Sequence, residues 1–227
     1  MSKIDVILPT YNQESFLDIS IPAILNQEFK DFTFIIVNDG SKDNTIAKLM
    51  AYASCDNRIK VIDCEINRGL PAALNIGHEA GNSEYCTWIS TDNISYPNYL
   101  LELYKKIEEG FDFVQSFYFV KDKSGKKSFR DIRTFHDNWG YGNLTPSFLY
   151  KRGVWETYKY DENLQYVEDL KFYLQAFLHP FKFGFVEKTL VEYLCHSDSM
   201  TAKVHANLKE HDLRLNKIYE QVIKPHK

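Results

Sequence analysis

Four short polar clusters hold most of the side chains that could do chemistry in this sequence. They are Pro9-Thr10-Tyr11-Asn12, Asn38-Asp39-Gly40-Ser41, Asn67-Arg68-Gly69 and Ser90-Thr91-Asp92-Asn93. Each follows a run that reads as a β-strand, and in an open α/β sheet ligands bind in the crevice beyond the carboxyl ends of the strands. One such cluster would be ordinary turn chemistry, because Gly, Asn, Asp and Ser are what turns are built from. Four on one rim point to a binding crevice. Further along, Glu168-Asp169 opens a stretch of helical spacing, where acids in the first turn also meet the helix dipole favourably.

The elements that must position these residues alternate in kind. Runs rich in β-branched and aromatic residues occupy Ile4–Pro9, Phe32–Asn38, Lys60–Asp63 and Tyr85–Ser90. Between them, Phe16–Gln27, Asn44–Ala53, Pro71–Ala80 and Tyr99–Glu108 carry apolar residues at helical spacing. Near-continuous apolar runs such as Phe34-Ile35-Ile36-Val37 suit strands covered on both faces, so the alternation predicts an α/β fold with a mostly parallel sheet flanked by helices. Pro22 falls inside the first helical stretch and predicts a kink there, or a helix beginning near Ser20. In the second half, Phe111–Lys121 and Phe183–Leu194 read as strands and Asp122–Ser128 as a basic turn. Asp131–Thr145 reads as a surface loop. Leu164, Val167, Leu170, Leu174, Phe177 and Leu178 mark one apolar helical face, and a polar helix is expected from about His205 to Val222.

With 227 residues, a 44% hydrophobic share and 26% charged residues, the chain has the balance of a single globular domain. The expected division is a binding half over about residues 1–95, a second half over about 96–204, and a closing helix over about 205–227. The net charge of −4 argues against a nucleic-acid partner, which would usually require a basic excess. It leaves room for a local cationic pocket that takes a phosphorylated ligand. Cys55, Cys64, Cys86 and Cys195 have no zinc or CxxC spacing and read as small buried thiols in a reducing, cytoplasmic setting. No leader and no run long enough to span a membrane is expected, which leaves peripheral attachment at the inner membrane face open.

The order of "DVILPTYNQESFLDISIPAILNQEFKDFTFIIVNDGSKDNT", "NRGLPAALNIGHEAGNSEY" and "WISTDNISYP" resembles the family 2 glycosyltransferases of the GT-A fold. The later "YKRGVWETYKYDENLQYVEDLKFYLQAF" and "LVEYLCHSDSMT" resemble that family's acceptor-side elements, so the resemblance covers roughly residues 3 to 201. It implies an inverting transfer from a nucleotide sugar, a UDP-sugar first of all, to an acceptor hydroxyl on a saccharide, lipid-linked molecule or protein. Pro9, Thr10, Tyr11 and Asn12 match the segment lining the base, with Tyr11 able to stack on it. Asp39 matches the acid that binds the base, while Asn38 stands where the pattern has another acid. Arg68 could offer a cation to the diphosphate. Ser90, Thr91 and Asp92 match the metal motif with its first acid replaced by Ser90. Asp92 is then the expected contact to Mn²⁺ or Mg²⁺, which needs only one or two protein carboxylates beside the diphosphate. His196 matches an additional metal ligand of some members, with Tyr193 in place but Leu194 where arginine is frequent. Asp169 is implied as the general base and Glu168 as its neighbour. Among the aromatics Trp139, Tyr141, Phe148 and Trp155, Trp139 is the expected acceptor contact, and Phe148 and Trp155 are expected in the core.

Two rivals follow from the same residues. Ser90, Asn38 and Leu194 suit a nucleotide-sugar-binding module without catalysis. A sugar-phosphate nucleotidyltransferase would carry a Gly-rich basic loop after the first strand, which Pro9-Thr10-Tyr11-Asn12 does not supply. A dinucleotide-binding oxidoreductase is excluded by the lack of GxGxxG after any strand.

Overall fold

The computed structural model describes residues 1–132, 145–196 and 208–226. Their strands join one mixed sheet in the order β3-β2-β1-β4-β8-β6-β9-β5, with β7 paired to β6. The first half supplies β1 (Ile4–Thr10), β2 (Phe32–Asn38), β3 (Ile59–Asp63) and β4 (Tyr85–Trp88), all parallel. The second half supplies β5 (Ile94–Ser95), β6 (Phe113–Lys121), β7 (Lys127–Arg130), β8 (Phe148–Lys151) and β9 (Phe183–Leu194). β8 runs antiparallel to both β4 and β6, so β6 points the same way as β1–β4, and β9 is parallel to β6. The carboxyl ends of β1, β2, β3, β4, β6 and β9 therefore share one rim.

Helices cover both faces, as the apolar runs require. On one side, Val6, Leu8, Phe34 and Ile36 pack with Leu17, Ile21 and Ile24 of α1 (Glu14–Leu25), Leu49 of α2 (Thr45–Cys55) and Leu100, Leu103 and Ile107 of α4 (Tyr99–Ile107). On the other, Ile7, Ile35 and Val37 pack with Ala73 and Leu74 of α3 (Leu70–Ala80). The same cluster takes in Val154 and Trp155 of α5 (Arg152–Thr157), Leu170, Leu174 and Ala176 of α6 (Glu168–Leu178), and Ile218 of α7 (Leu208–Ile218). The alternation of Val6 and Leu8 against Ile7 is the period of two that sends successive side chains to opposite faces.

Several expectations change. Helix α1 starts at Glu14 rather than near Ser20 and runs through Pro22 to Leu25. Proline removes one backbone bond there, but Leu17, Ile21 and Ile24 are wholly buried, each worth roughly 1.5–3 kcal/mol, and that packing outweighs the loss. Leu164 and Val167 are buried as expected but precede α6, whose first residue is Glu168. The basic segment after Lys121 is a tight turn followed by β7, so β6 and β7 form a hairpin. At the C-terminus, α7 ends at Ile218 and continues as a π-helical turn over Tyr219–Ile223 and a 3₁₀ turn over Lys224–His226. Of the cysteines only Cys86 is buried, Cys55 is exposed, and all four are unbridged. Among the described residues, no helix is long and apolar enough to cross a membrane.

Candidate active site

The first three clusters are tied to one another by hydrogen bonds on the rim. The Asp39 backbone N–H donates to the Thr10 carbonyl at 2.9 Å, and that of Asn12 to Ser41 Oγ at 2.9 Å. Lys42 N–H donates to Asn12 Oδ1 at 2.8 Å, with Asn12 itself in the left-handed region at φ 51°. Asn38 is buried and donates from Nδ2 to Asp63 Oδ1 at 2.6 Å. An uncharged amide at this position can therefore serve the β3 carboxylate as a donor, which a second acid could not do while ionised.

Asp39 is buried and uses both carboxylate oxygens on the turn before α3. Oδ1 accepts from Arg68 N–H at 2.9 Å and Oδ2 from Gly69 N–H at 2.8 Å. Gly40 makes this approach possible: at φ 72°, a Cβ there would come within 2.6 Å of the Ile66 carbonyl carbon. The Arg68 guanidinium reaches across to Glu162, 2.9 Å from Nη2 to Oε2, in a half-exposed pair. Tyr11 is 43% exposed beside this turn region's partner loop, with its ring open to solvent. Pro9 is partly buried next to it.

The fourth cluster meets the end of β9. Asp92 Oδ2 lies 3.0 Å from His196 Nε2, both side chains about one-fifth exposed. The His196 ring also packs on Phe16 of α1, with centroids 5.2 Å apart. Thr91 is buried and donates from Oγ1 to Gln13 Oε1 at 3.4 Å, which links this cluster to the residue after Asn12. Ser90 is partly exposed at the strand exit. The fit to a divalent cation can be judged on the donors present. A carboxylate oxygen and an imidazole nitrogen 3.0 Å apart have about the spacing of neighbouring ligands around an octahedral cation with ~2.1 Å bonds. Among the described residues no group of three or more His, Cys, Asp or Glu side chains could hold a metal, so the remaining ligands would come from elsewhere.

Glu168 and Asp169 open α6 as expected from the sequence. Burial pushes both carboxyls above the usual carboxylate range, and the charge of Asp169 raises Glu168 further. Asp169 Oδ1 accepts from the Leu170 backbone N–H at 2.7 Å. Glu168 is 2% exposed, and among the described residues its Oε2 has no partner; Thr10 Oγ1 and Asn93 Oδ1 are likewise buried and unpartnered among them. Buried polar atoms left unpaired cost about 1–3 kcal/mol each, which a bound ligand can recover.

Sequence reading missed the residues that hold the loop before α6 against α3. Asn75 of α3 is buried and donates from Nδ2 to the Tyr160 carbonyl at 2.9 Å and to Glu162 Oε1 at 3.1 Å. Its Oδ1 accepts from Trp155 Nε1 at 3.2 Å and from Tyr160 N–H at 3.1 Å. The Gln165 side chain packs where a Cβ on Gly69 would stand. Nothing in the periodicity of α3 distinguishes Asn75 from a solvent-facing residue. Phe148 and Trp155 are buried in the core as expected. Trp139 and Tyr141 lie outside the described residues.

A parallel βα half with a ligand-ready carboxyl rim, joined to a mixed half that returns an acid-headed helix to the same rim, is the plan of a GT-A-like transferase. The chain matches glycosyl transferase family 2 over residues 5–188 and belongs to that family. Relatives include the uncharacterised glycosyltransferase MJ1057 of Methanocaldococcus jannaschii, 29% identical over 84% of this chain and 70% of its own. The uncharacterised glycosyltransferase RT0329 of Rickettsia typhi is 29% identical over 92% of this chain and 69% of its own. Among solved structures, S. aureus TarS 1-349 in complex with UDP-GlcNAc superposes with a TM-score of 0.76 at 20% identity, covering 88% of this chain. The chain spans 61% of that TarS chain, and the likeness is one of fold.

Proposed function

We propose that this chain transfers a sugar, with inversion, from a UDP-sugar to an acceptor hydroxyl in glycan or polysaccharide biosynthesis. The observation that carries the reading is the buried acid pair Glu168–Asp169 heading α6, whose preceding loop is bonded through Glu162 to Arg68 beside the Asp39-held turn. Family membership supports transferase chemistry, and TarS structures with UDP and UDP-GlcNAc support a uridine donor.

In this reading Tyr11 stacks on the base, and Pro9, Thr10, Asn12 and Asp39 line its pocket. Arg68 exchanges Glu162 for the diphosphate; their exposed pair is worth at most about 1 kcal/mol, so the exchange costs little. Ser90 and Thr91 flank the ribose. Asp92 and His196 are the residues that would hold Mn²⁺ or Mg²⁺, which supplies neutralisation of the negative charge on the leaving diphosphate. Asp169 takes the proton of the acceptor hydroxyl as the new glycosidic bond forms, and its raised pKa brings it nearer to the working pH. Burial and its neighbour's charge favour the protonated form of Glu168, against the backbone N–H groups of Tyr166, Val167 and Glu168 that donate to its carboxyl. Trp139 is assigned to the acceptor.

A thermal-shift panel of nucleoside diphosphates and nucleotide sugars, with and without Mn²⁺, tests the donor. Uridine nucleotides should raise the melting temperature selectively, and more so with the metal. No shift with any nucleotide would sink the reading, and binding without any transfer or slow donor hydrolysis would favour the non-catalytic module.

A further inference from the structure

The β6–β7 hairpin rises from the rim that carries the site, since β6 runs parallel in sense to β1–β4. Its tip adjoins the end of β9 that leads to the Asp92–His196 pair: Lys121, the last residue of β6, is in register with Leu194, and Cys195 N–H donates to the Lys121 carbonyl at 2.9 Å. The chain as a whole has a net charge of −4, yet residues 121–130 hold Lys121, Lys123, Lys126, Lys127 and Arg130 against one acid, Asp122. That acid is absorbed by the turn. Its Oδ1 accepts from Ser124 N–H at 2.9 Å, Ser124 Oγ at 2.6 Å and Lys126 N–H at 3.0 Å. Lys127, the first residue of β7, is anchored on Glu192, which also accepts from Tyr96 OH at 2.6 Å. Lys123, Lys126 and Arg130 are exposed.

Phe129 is 50% exposed and sits edge-on to the buried ring of Phe117 and the partly buried ring of Phe119 at 5.3 and 6.1 Å, so its own ring is the apolar element that stands open beside the cationic tip. Cations with an open aromatic ring beside them match the two layers of a lipid surface, anionic headgroups outside and acyl boundary within. A soluble polyanion would engage the cations alone.

We propose that this hairpin docks the protein on an anionic lipid bilayer and so turns the rim of the cleft toward an acceptor presented from that surface. The second half of this statement rests on the transferase reading; the docking does not.

Co-sedimentation with vesicles of phosphatidylcholine alone, or with about one-third phosphatidylglycerol, tests the docking. Binding should require the anionic lipid and weaken at high salt. Lys123→Gln with Lys126→Gln should lower the affinity on the order of 30-fold, since each cation near the surface is worth about fivefold. Phe129→Ser should lower it several-fold while leaving the salt dependence in place. Far-ultraviolet circular dichroism confirms that the variants fold, and nucleotide-induced thermal shift reports the transferase site separately. Equal binding to neutral and anionic vesicles, or variants that bind as the parent does, would overturn the proposal. So would capture by soluble polyphosphate with no binding to vesicles.

Discussion

Asp92 and His196 stand 104 positions apart in the chain, yet their Oδ2 and Nε2 atoms lie 3.0 Å apart on the rim of the sheet. One ends the parallel half and the other follows β9, so the contact exists only because β9 returns parallel to β6. If this pair holds the divalent cation, Asp92→Ala should weaken uridine nucleotide binding about tenfold or more in Mn²⁺ and remove its metal dependence. Titration calorimetry with and without Mn²⁺ reads this directly; an unchanged affinity in excess metal would exclude Asp92 as a ligand.

Asp169→Asn keeps the shape of the α6 N-terminus and removes the proposed proton acceptor. Transfer should fall by about 10²–10⁴-fold, with nucleotide affinity unchanged. Undiminished transfer would remove Asp169 from the reaction.

The raised pKa values of Glu168 and Asp169 have opposite consequences for activity and stability. As the proposed base Asp169 would act when deprotonated, so kcat/KM should fall on acidification at a pH above the ordinary Asp value of about 3.9. For stability, the folded pair holds protons that the unfolded chain has already released. That contribution is complete below the unfolded carboxylate pKa of about 4 and is lost as pH rises through the folded values. Glu168→Gln should therefore gain stability over the parent as pH rises from 5 to 9, by a few °C in Tm at the alkaline end, roughly 2–4 °C per kcal/mol. A Tm difference that does not vary with pH would contradict a buried, protonated Glu168.

Asp5 anchors the two halves of the sheet to each other. It is 1% exposed, pairs with Arg152 at 2.5 Å, and accepts from Ser83 N–H at 2.8 Å and Ser83 Oγ at 2.7 Å. Asp5→Ala leaves the Arg152 cation largely buried without its partner and should cost about 3–5 kcal/mol in urea unfolding. A loss below about 1 kcal/mol would show the pair to be replaceable by water.

Gly40→Ala tests the turn that Asp39 closes. The added methyl would meet the Ile66 and Asn67 backbone at 2.6 and 2.7 Å, in a conformation that L-residues rarely adopt. The strain should cost about 1–3 kcal/mol and weaken nucleotide binding together with stability. Parent-like affinity and Tm would mean that the loop relaxes freely.

Most of the first half was legible because its signals are local. β2 and β9 occupy the residues that their apolar and β-branched runs predict, and the clusters following β1 to β4 fall on the rim. Pro22 as a local signal leaves open a kink or a helix beginning near Ser20; α1 begins at Glu14, and burial of Leu17, Ile21 and Ile24 carries it through the proline. Lys127 and Ser128, which read as the end of a turn, begin β7, because pairing with β6 decides their state.

Sequence alone thus determined the α/β alternation, the residues offered at each strand end and the acid pair at the head of α6. These depend on periodicity, turn chemistry and order along the chain. Tertiary structure decided which of them meet. Asp39 engages Arg68 and Gly69, Asn75 ties α3 to the loop before α6, and Asp92 reaches His196 through crossovers that no local pattern encodes. Side-chain hydrogen bonds act over about 3 Å, and only the closed fold brings distant positions within that range.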